Sequence, residues 1–351
     1  MDLLISHFAA STCLGDGGEI NGAAFRCGYD GFTQVDYKFS DAQEQANCAP
    51  AMNLEEKSGL NRLSSLLNRV YGELVACSDH KAIDVSSSPI FLCAGSEARP
   101  DIDDAHYRAE QLFLLLNKVF ARQPNSMDRI ILQDRVSVAS ALELADQSLS
   151  EDTPHIILIS VDSMMTPSAL RAYQGDVGFG NGRILRTGEA HGFIPGEAAV
   201  AAIAQRASSR AKGCRIEGIS WAQESVLYSS DEPFRGKGIS EAVTALQSAT
   251  NSHSSTFDFI VSSVSGESYF FEEVVMAQKR LKAPHPNQQP LWHPADQVGE
   301  TGASVGLLAL LQAYYGMKSG YAPGPSALVL LSNDDAHRVA MKIQYQGVAH
   351  G

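Results

Sequence analysis

For most of its length the chain alternates between short unbroken apolar runs and longer stretches in which apolar residues recur every three or four positions. Unbroken runs of a few residues mark strands buried on both faces; the wider spacing marks helices with one apolar stripe. Residues 3–12 open the series as a strand, closed by the glycine-rich turn at 13–18. Residues 61–76 form a predicted helix through Leu63, Leu66, Leu67, Val70, Leu74 and Val75. A strand at 88–95 and a helix at 105–120 follow. Residues 129–149 then give Ile130, Ile131 and Leu132 as a strand, Gln133-Asp134-Arg135 as a polar elbow, and a helix through Val138, Leu142, Leu144 and Ala145. The next strand covers 155–161, with a turn and short helix at 162–173, a glycine-rich loop at 175–182 and a strand at 200–204.

The rhythm then repeats, with strands at 214–222 and 257–264, helices at 238–249 and 271–281, a long apolar helix ending at Tyr315, and closing strands at 326–331 and 339–344. Residues 27–51 read as irregular and polar. No linker is rich enough in Pro, Ser or charge to separate independent domains, apart from the polar loop at 283–289.

Composition narrows the function classes. With 27 basic against 40 acidic residues, a net charge of −13 and no basic run, nucleic acid and anionic membranes are disfavoured as partners. The opening MDLLISHFAAST lacks a basic n-region and reads as a first strand, so a cytoplasmic protein is expected. The longest apolar segment, 305–311, is far too short to span a bilayer. Six scattered cysteines, with no CxxC pair and no His/Cys ligand spacing, point to reduced thiols; no metal and no cofactor are expected.

Two stretches carry a family resemblance. The strand–elbow–helix ending in Gln147-Ser148-Leu149 resembles the nucleophile elbow of the thiolase-like superfamily, in its β-ketoacyl synthase (3-oxoacyl-ACP synthase) branch, where Asp-Thr-Ala-Cys-Ser-Ser leads into a helix ending in Gln-Ser-Leu. Gly192-Phe193-Ile194-Pro195-Gly196-Glu197-Ala198-Ala199 is similar to that branch's Gly-Phe-Val-x-Gly-Glu-Gly-Ala, about 55 residues on and in the right order. The resemblance implies an α/β protein with the five-layer αβαβα thiolase-like fold, built of two pseudo-duplicated halves, 1–210 and 211–351, forming one unit.

It also implies where the chemistry should lie. A ketosynthase uses a cysteine thiolate, two histidines and a lysine. Matching on Gln147-Ser148-Leu149 puts Val136 at the cysteine. Matching on Gly266 puts Ser265 at the first histidine. Gly299-Glu300-Thr301-Gly302-Ala303 resembles the Gly-His-Thr-Gly-Ala motif, leaving Glu300 at the second histidine and Ala295 at the lysine. The family's closing Gly-Phe-Gly-Gly loop is replaced by Ser332-Asn333-Asp334-Asp335. All four functional side chains are thus substituted, and Glu300 is expected to bring negative charge where a carbanion would form. Ser137, Gly266, Glu267, His293, Gly299 and Thr301 are the expected lining of the old pocket. Ser137 is weighed as a relocated nucleophile against a plain helix cap, and Glu300 with Asp134 or Glu267 as an acid/base pair against ion-paired groups.

The leading expectation is a non-catalytic adaptor or accessory subunit acting through protein–protein or acyl-group binding. The strand from Arg129 to Gln133 would form a homodimer, or a heterodimer with an active ketosynthase. The alternative is an acyltransferase-type enzyme with a relocated nucleophile, and a third reading is a binder of acyl-thioesters or acyl-carrier protein.

Overall fold

In the computed structural model the described residues are 1–38, 43–54, 57–78, 84–102, 105–175, 182–186, 188–208, 211–249, 257–281 and 289–347. The strands are β1 (Leu3–Thr12), β2 (Gly15–Asp16), β3 (Thr33–Lys38), β4 (Gln43–Cys48), β5 (Ile90–Ala94), β6 (Arg129–Leu132), β7 (His155–Ser163), β8 (Glu197–Arg206), β9 (Gly213–Gln223), β10 (Phe259–Ser262), β11 (Leu291–Trp292), β12 (Ser326–Ser332) and β13 (His337–Gln346). The helices are α1 (Gly18–Cys27), α2 (Gly59–Ser78), α3 (Ala105–Phe120), α4 (Ser137–Ser148), α5 (Pro167–Tyr173), α6 (Lys237–Ala249), α7 (Ser268–Gln278), α8 (Ala295–Val298) and α9 (Val305–Lys318).

Ten strands join edge to edge in the order β11-β10-β12-β13-β9-β1-β8-β7-β5-β6. Numbering each half's five strands in chain order, both halves read 3-2-4-5-1. The directions repeat too. β5 runs parallel to β6 and β7, and β8 is antiparallel to β7 and β1. β10 runs parallel to β11 and β12, and β13 is antiparallel to β12 and β9. The halves join where Leu3–Ile5 pairs antiparallel with Cys214–Ile216.

Because side chains alternate across a strand, each half-sheet feeds two cores. Leu92, Ile157 and Ile159 pack outward under α2 and α3. Ile260, Leu328 and Leu330 pack outward under α6 and α7. Phe91, Leu158, Val261 and Val329 point inward, onto α4 and α9. The layers are therefore helix, sheet, helix, sheet, helix, which is the αβαβα architecture. The central position of α9 explains its composition: Val305 to Met317 are all buried, and a helix apolar all round has no solvent face to serve.

The irregular reading of 27–51 is corrected. Thr33–Lys38 and Gln43–Cys48 pair as an antiparallel hairpin apart from the main sheet; the alternation of Thr33, Val35 and Tyr37 with polar residues marks the first strand, but the mostly polar Gln43–Cys48 carries no such signal. Helix α1 was also missed; it starts at Gly17-Gly18 with no side-chain cap, so it lacks the usual start signal. Most of the 175–182 and 283–289 loops lies outside the described residues. No helix among the described residues is long and apolar enough to cross a membrane.

Candidate functional site

The elbow is a sharp turn. β6 ends at Leu132, Asp134–Val136 form one 3₁₀ turn, and α4 continues it. Asp134 has φ 53°, a left-handed conformation costing a non-glycine residue roughly 1–2 kcal/mol. Val136 has φ −90° and ψ −4° and is buried. Its amide N–H donates to Asn333 Oδ1 at 3.2 Å, and Asn333 Nδ2 donates back to the Gln133 carbonyl at 3.0 Å. The loop at 332–335 thus clasps the elbow from the second half of the chain.

Ser137 is not a cap. α4 has no side-chain cap bond, and the Ser137 hydroxyl donates to the Asp134 carbonyl at 2.5 Å. Its neighbour Cys93 is fully buried, and burial pushes that thiol up to about 12, against the lowering effect of a hydrogen bond with Ser137.

Charged groups fill the space around the turn. Arg135, beside Val136, grips the Glu300 carboxylate through Nε and Nη2 (3.3, 3.2 and 3.1 Å) and Asp334 through Nη1 at 2.8 Å. Asp334 also accepts from Arg183 at 2.6 and 3.0 Å, and Arg183 closes a two-bond fork on Glu267 at 2.7 and 2.8 Å. The Glu300 carboxylate is ion-paired with Arg135 and also accepts the Gly302 N–H at 2.8 Å. Aromatic rings flank the cations, with Phe270 5.5 Å from Arg135 and Tyr228 4.4 Å from Arg183.

A second cluster adjoins it. Arg99 pairs with Asp162, with Asp101 at 2.8 Å and with Asp134 at 3.6 Å, and the Ala303 N–H donates to Asp162 at 2.9 Å. Gly302, φ 54°, is required here, since a Cβ would sit 2.3 Å from Asp162 Oδ2 and 2.7 Å from Arg99 Nη1. Together the clusters set three guanidinium groups against six carboxylates. Burial raises Asp134 to about 7, with Arg99 and Arg135 pulling the other way. Burial also works against ionised Asp334, but Arg135 and Arg183 hold it well below the ordinary carboxylate range.

Of the expected site residues, the fold brings Val136, Ser137, Glu267 and Glu300 together around this ion lattice. Gly299 and Thr301 flank Glu300. The GFIPGEAA segment abuts them, with Glu300 N–H donating to the Ile194 carbonyl and Gly196 N–H to the Glu300 carbonyl. Its Glu197, also buried, anchors Arg62 and the Ala51 amide. Gly266 contacts Gly192, and Ser265 is half-buried beside it. His293 and Ala295 flank strand β11 and the start of α8; His293 lines a separate cavity of about 220 Å³ with Trp292 and Tyr321. Sequence reasoning missed Arg99, Arg135, Asp162 and Arg183, and named Asp334 only as loop. Arg135 itself was read only as part of the polar elbow Gln133-Asp134-Arg135.

Chemically each of the three guanidinium groups of the lattice is held by carboxylates, the Ser137 hydroxyl is hydrogen-bonded, and the Cys93 thiol is raised by burial. The large cavities open elsewhere. One of about 780 Å³ lies near His7, Tyr314 and Tyr345, and one of about 510 Å³ runs along β6 and α4; neither of these, nor the His293 cavity, is lined by Val136, Asp134, Arg135 or Glu300.

No protein-family model matches the chain, and no curated protein matches it by sequence. Solved structures do match. A chain from a structure described as a type II polyketide synthase acyl-carrier protein in complex with its ketosynthase bound to the hexaketide is similar at TM-score 0.76 and 10% identity, over 98% of this chain and 99% of that one. The ketosynthase from module 6 of the bacillaene synthase of Bacillus subtilis 168 gives TM-score 0.71 and 11% identity, over 99% of this chain and 72% of that one. The ishigamide ketosynthase/chain length factor gives TM-score 0.63 and 14% identity, over 99% and 100%. The fold is therefore the thiolase-like fold of ketosynthases.

Proposed function

We propose that this chain is a non-condensing member of the ketosynthase fold, an accessory subunit that works by pairing with another thiolase-fold chain. The observation that carries the reading is the buried lattice Glu300–Arg135–Asp334–Arg183–Glu267, which occupies the surroundings of the elbow with salt bridges. A condensing site needs a reachable nucleophile and donors aimed at a developing oxyanion; here the donors are spent on carboxylates. Val136, which the resemblance matches to the family's cysteine, offers no thiolate.

The pairing surface is β6. It ends the sheet, bonded only to β5, so its other edge offers a ladder to a partner. A groove of about 510 Å³ lined by Ile130, Leu132, Gln133 and Leu144 runs along it. One of the similar structures is described as a ketosynthase/chain length factor, which supports a partner of the same fold, either a second copy or an active ketosynthase.

Two measurements test this. Incubation with acyl-thioester probes followed by intact-mass analysis should show no covalent adduct; a labelled Ser137 or cysteine would instead establish the alternative acyltransferase reading. Sedimentation of the purified chain, alone and with a co-expressed ketosynthase, should show a two-chain species that Ile130→Lys with Leu132→Lys abolishes. A species that both variants leave intact would remove β6 as the interface.

A further inference from the structure

The cavity beside His293 is built differently from the others. Of the buried polar side-chain atoms with no hydrogen-bond partner among the described residues, two belong to residues lining this one space, Gln297 Oε1 and Gln312 Oε1, while His293 Nδ1 faces the exposed Asp296 carboxylate at 3.3 Å. Buried polar groups are nearly always satisfied, because an unmet one costs about 1–3 kcal/mol. Two on the lining of about 220 Å³ ask for an occupant.

Gln312 is the sharpest of them. It is the one polar residue in the apolar run of α9 before Lys318, and it is only 6% exposed. One turn further on, Gly316 leaves room for the Trp292 ring, which a Cβ there would meet at 2.6 Å. Trp292 in turn lies 5.7 Å from Tyr321, nearly parallel, and Arg26 sits 5.6 Å over Tyr321 at the mouth. The walls are thus flat and aromatic, with Phe25 completing them.

We propose that this cavity is a binding site for a small planar nitrogen heterocycle of nucleobase size. A carboxamide presents an acceptor and a donor side by side, which matches the adjacent donor and ring nitrogen of an amino-heterocycle. Two glutamines and a histidine supply such an edge, and aromatic walls favour a flat ring over a flexible chain. At about 220 Å³ the space takes the ring system and leaves an attached sugar or chain to pass Arg26 at the mouth. The site is separate from the ion lattice and does not depend on the reading of that lattice.

The test is calorimetric and NMR titration of the whole chain with adenine, cytosine, nicotinamide and, as a non-planar donor control, ethanolamine. Saturable binding of one or more of the three heterocycles, weakened at least tenfold by Gln312→Leu and not shared by ethanolamine, supports the site. Thermal melting of Gln312→Leu guards against misfolding: the variant should melt at or above the wild-type temperature without ligand. Should Gln312→Leu misfold, Gln297→Leu serves as the second variant. No saturable binding of any heterocycle at millimolar concentration, equal binding of ethanolamine, or binding indifferent to both substitutions overturns the proposal and leaves the cavity to water.

Discussion

The molecule contains the same strand-to-helix turn twice, and the two copies differ in what fills them. In the first half Asp134–Val136 form a 3₁₀ turn leading into α4; in the second, Gly302–Ser304 form one leading into α9. The preceding residues match (Gln133 φ −131°, ψ 22°; Thr301 φ −113°, ψ 16°), as do the first helical ones (Ser137 φ −56°, ψ −31°; Val305 φ −59°, ψ −32°). Each turn begins with a left-handed residue, Asp134 at 53° and Gly302 at 54°. In the second half glycine adopts that angle freely. In the first an aspartate adopts it, buried, with Oδ1 making no hydrogen bond among the described residues and only the long 3.6 Å ion pair to Arg99. The backbone of the first turn therefore has a shape that its own residue does not favour, held by contacts from elsewhere.

Those contacts are the arginine lattice, so its loss should have the largest effect. Arg135→Ala leaves Glu300 buried and uncompensated, and should cost about 3–5 kcal/mol in denaturant unfolding. Arg135→Met combined with Glu300→Leu removes both charges and should recover most of that. If Arg135→Ala costs under about 1 kcal/mol, the lattice is not what holds the first turn.

Next in size is the protonation of Asp134. Its folded pKa of about 7 lies above the ordinary 3.8. A group raised on folding stabilises the protein below its unfolded pKa and loses that contribution as pH rises through the folded one. Wild type should therefore lose stability relative to Asp134→Asn between 3.8 and about 7, by roughly 4 kcal/mol, and by no more at higher pH. Unfolding curves for the two proteins that stay parallel across that window would mean Arg99 outweighs burial and the carboxylate is ionised throughout.

The second turn is broken in a different way. Gly302→Ala forces a Cβ into the Arg99–Asp162 pair at a left-handed φ, and should cost roughly 2–3 kcal/mol. A neutral result would show that this pair yields, and that the two turns are equally tolerant.

How much of this was visible in the chain follows the same division. The layers were legible, because unbroken runs such as 130–132 and 155–161 and the spacing from Leu63 to Val75 record which faces are buried. The Gly299-to-Ala303 motif was legible as a resemblance, and it contains Gly302, the residue that takes the left-handed angle of the second turn. The lattice was not legible. Arg135 meets Glu300 from 165 positions away and Asp334 from 199, and nothing local in a sequence distinguishes an arginine that will be buried and paired from one that stays in water. The hairpin β3–β4 escaped because β4, Gln43–Cys48, is mostly polar, which left the short alternation of β3 without a visible partner.

The smallest effect separates what backbone and side chain each contribute to the first turn. Ser137 donates to the Asp134 carbonyl at 2.5 Å, which could suggest that this bond creates the bend. Its counterpart in the second half is Val305, which has no hydroxyl, yet its φ and ψ agree with those of Ser137 to within a few degrees. A bend that forms identically without the bond is not made by it. Ser137→Ala should then cost only about 1 kcal/mol, the usual net value of one hydrogen bond, and leave the pH dependence from Asp134 unchanged. A loss above about 3 kcal/mol, beyond the cost of a single unmet group, would mean the first turn is held by its serine, and that its likeness to the second is coincidental.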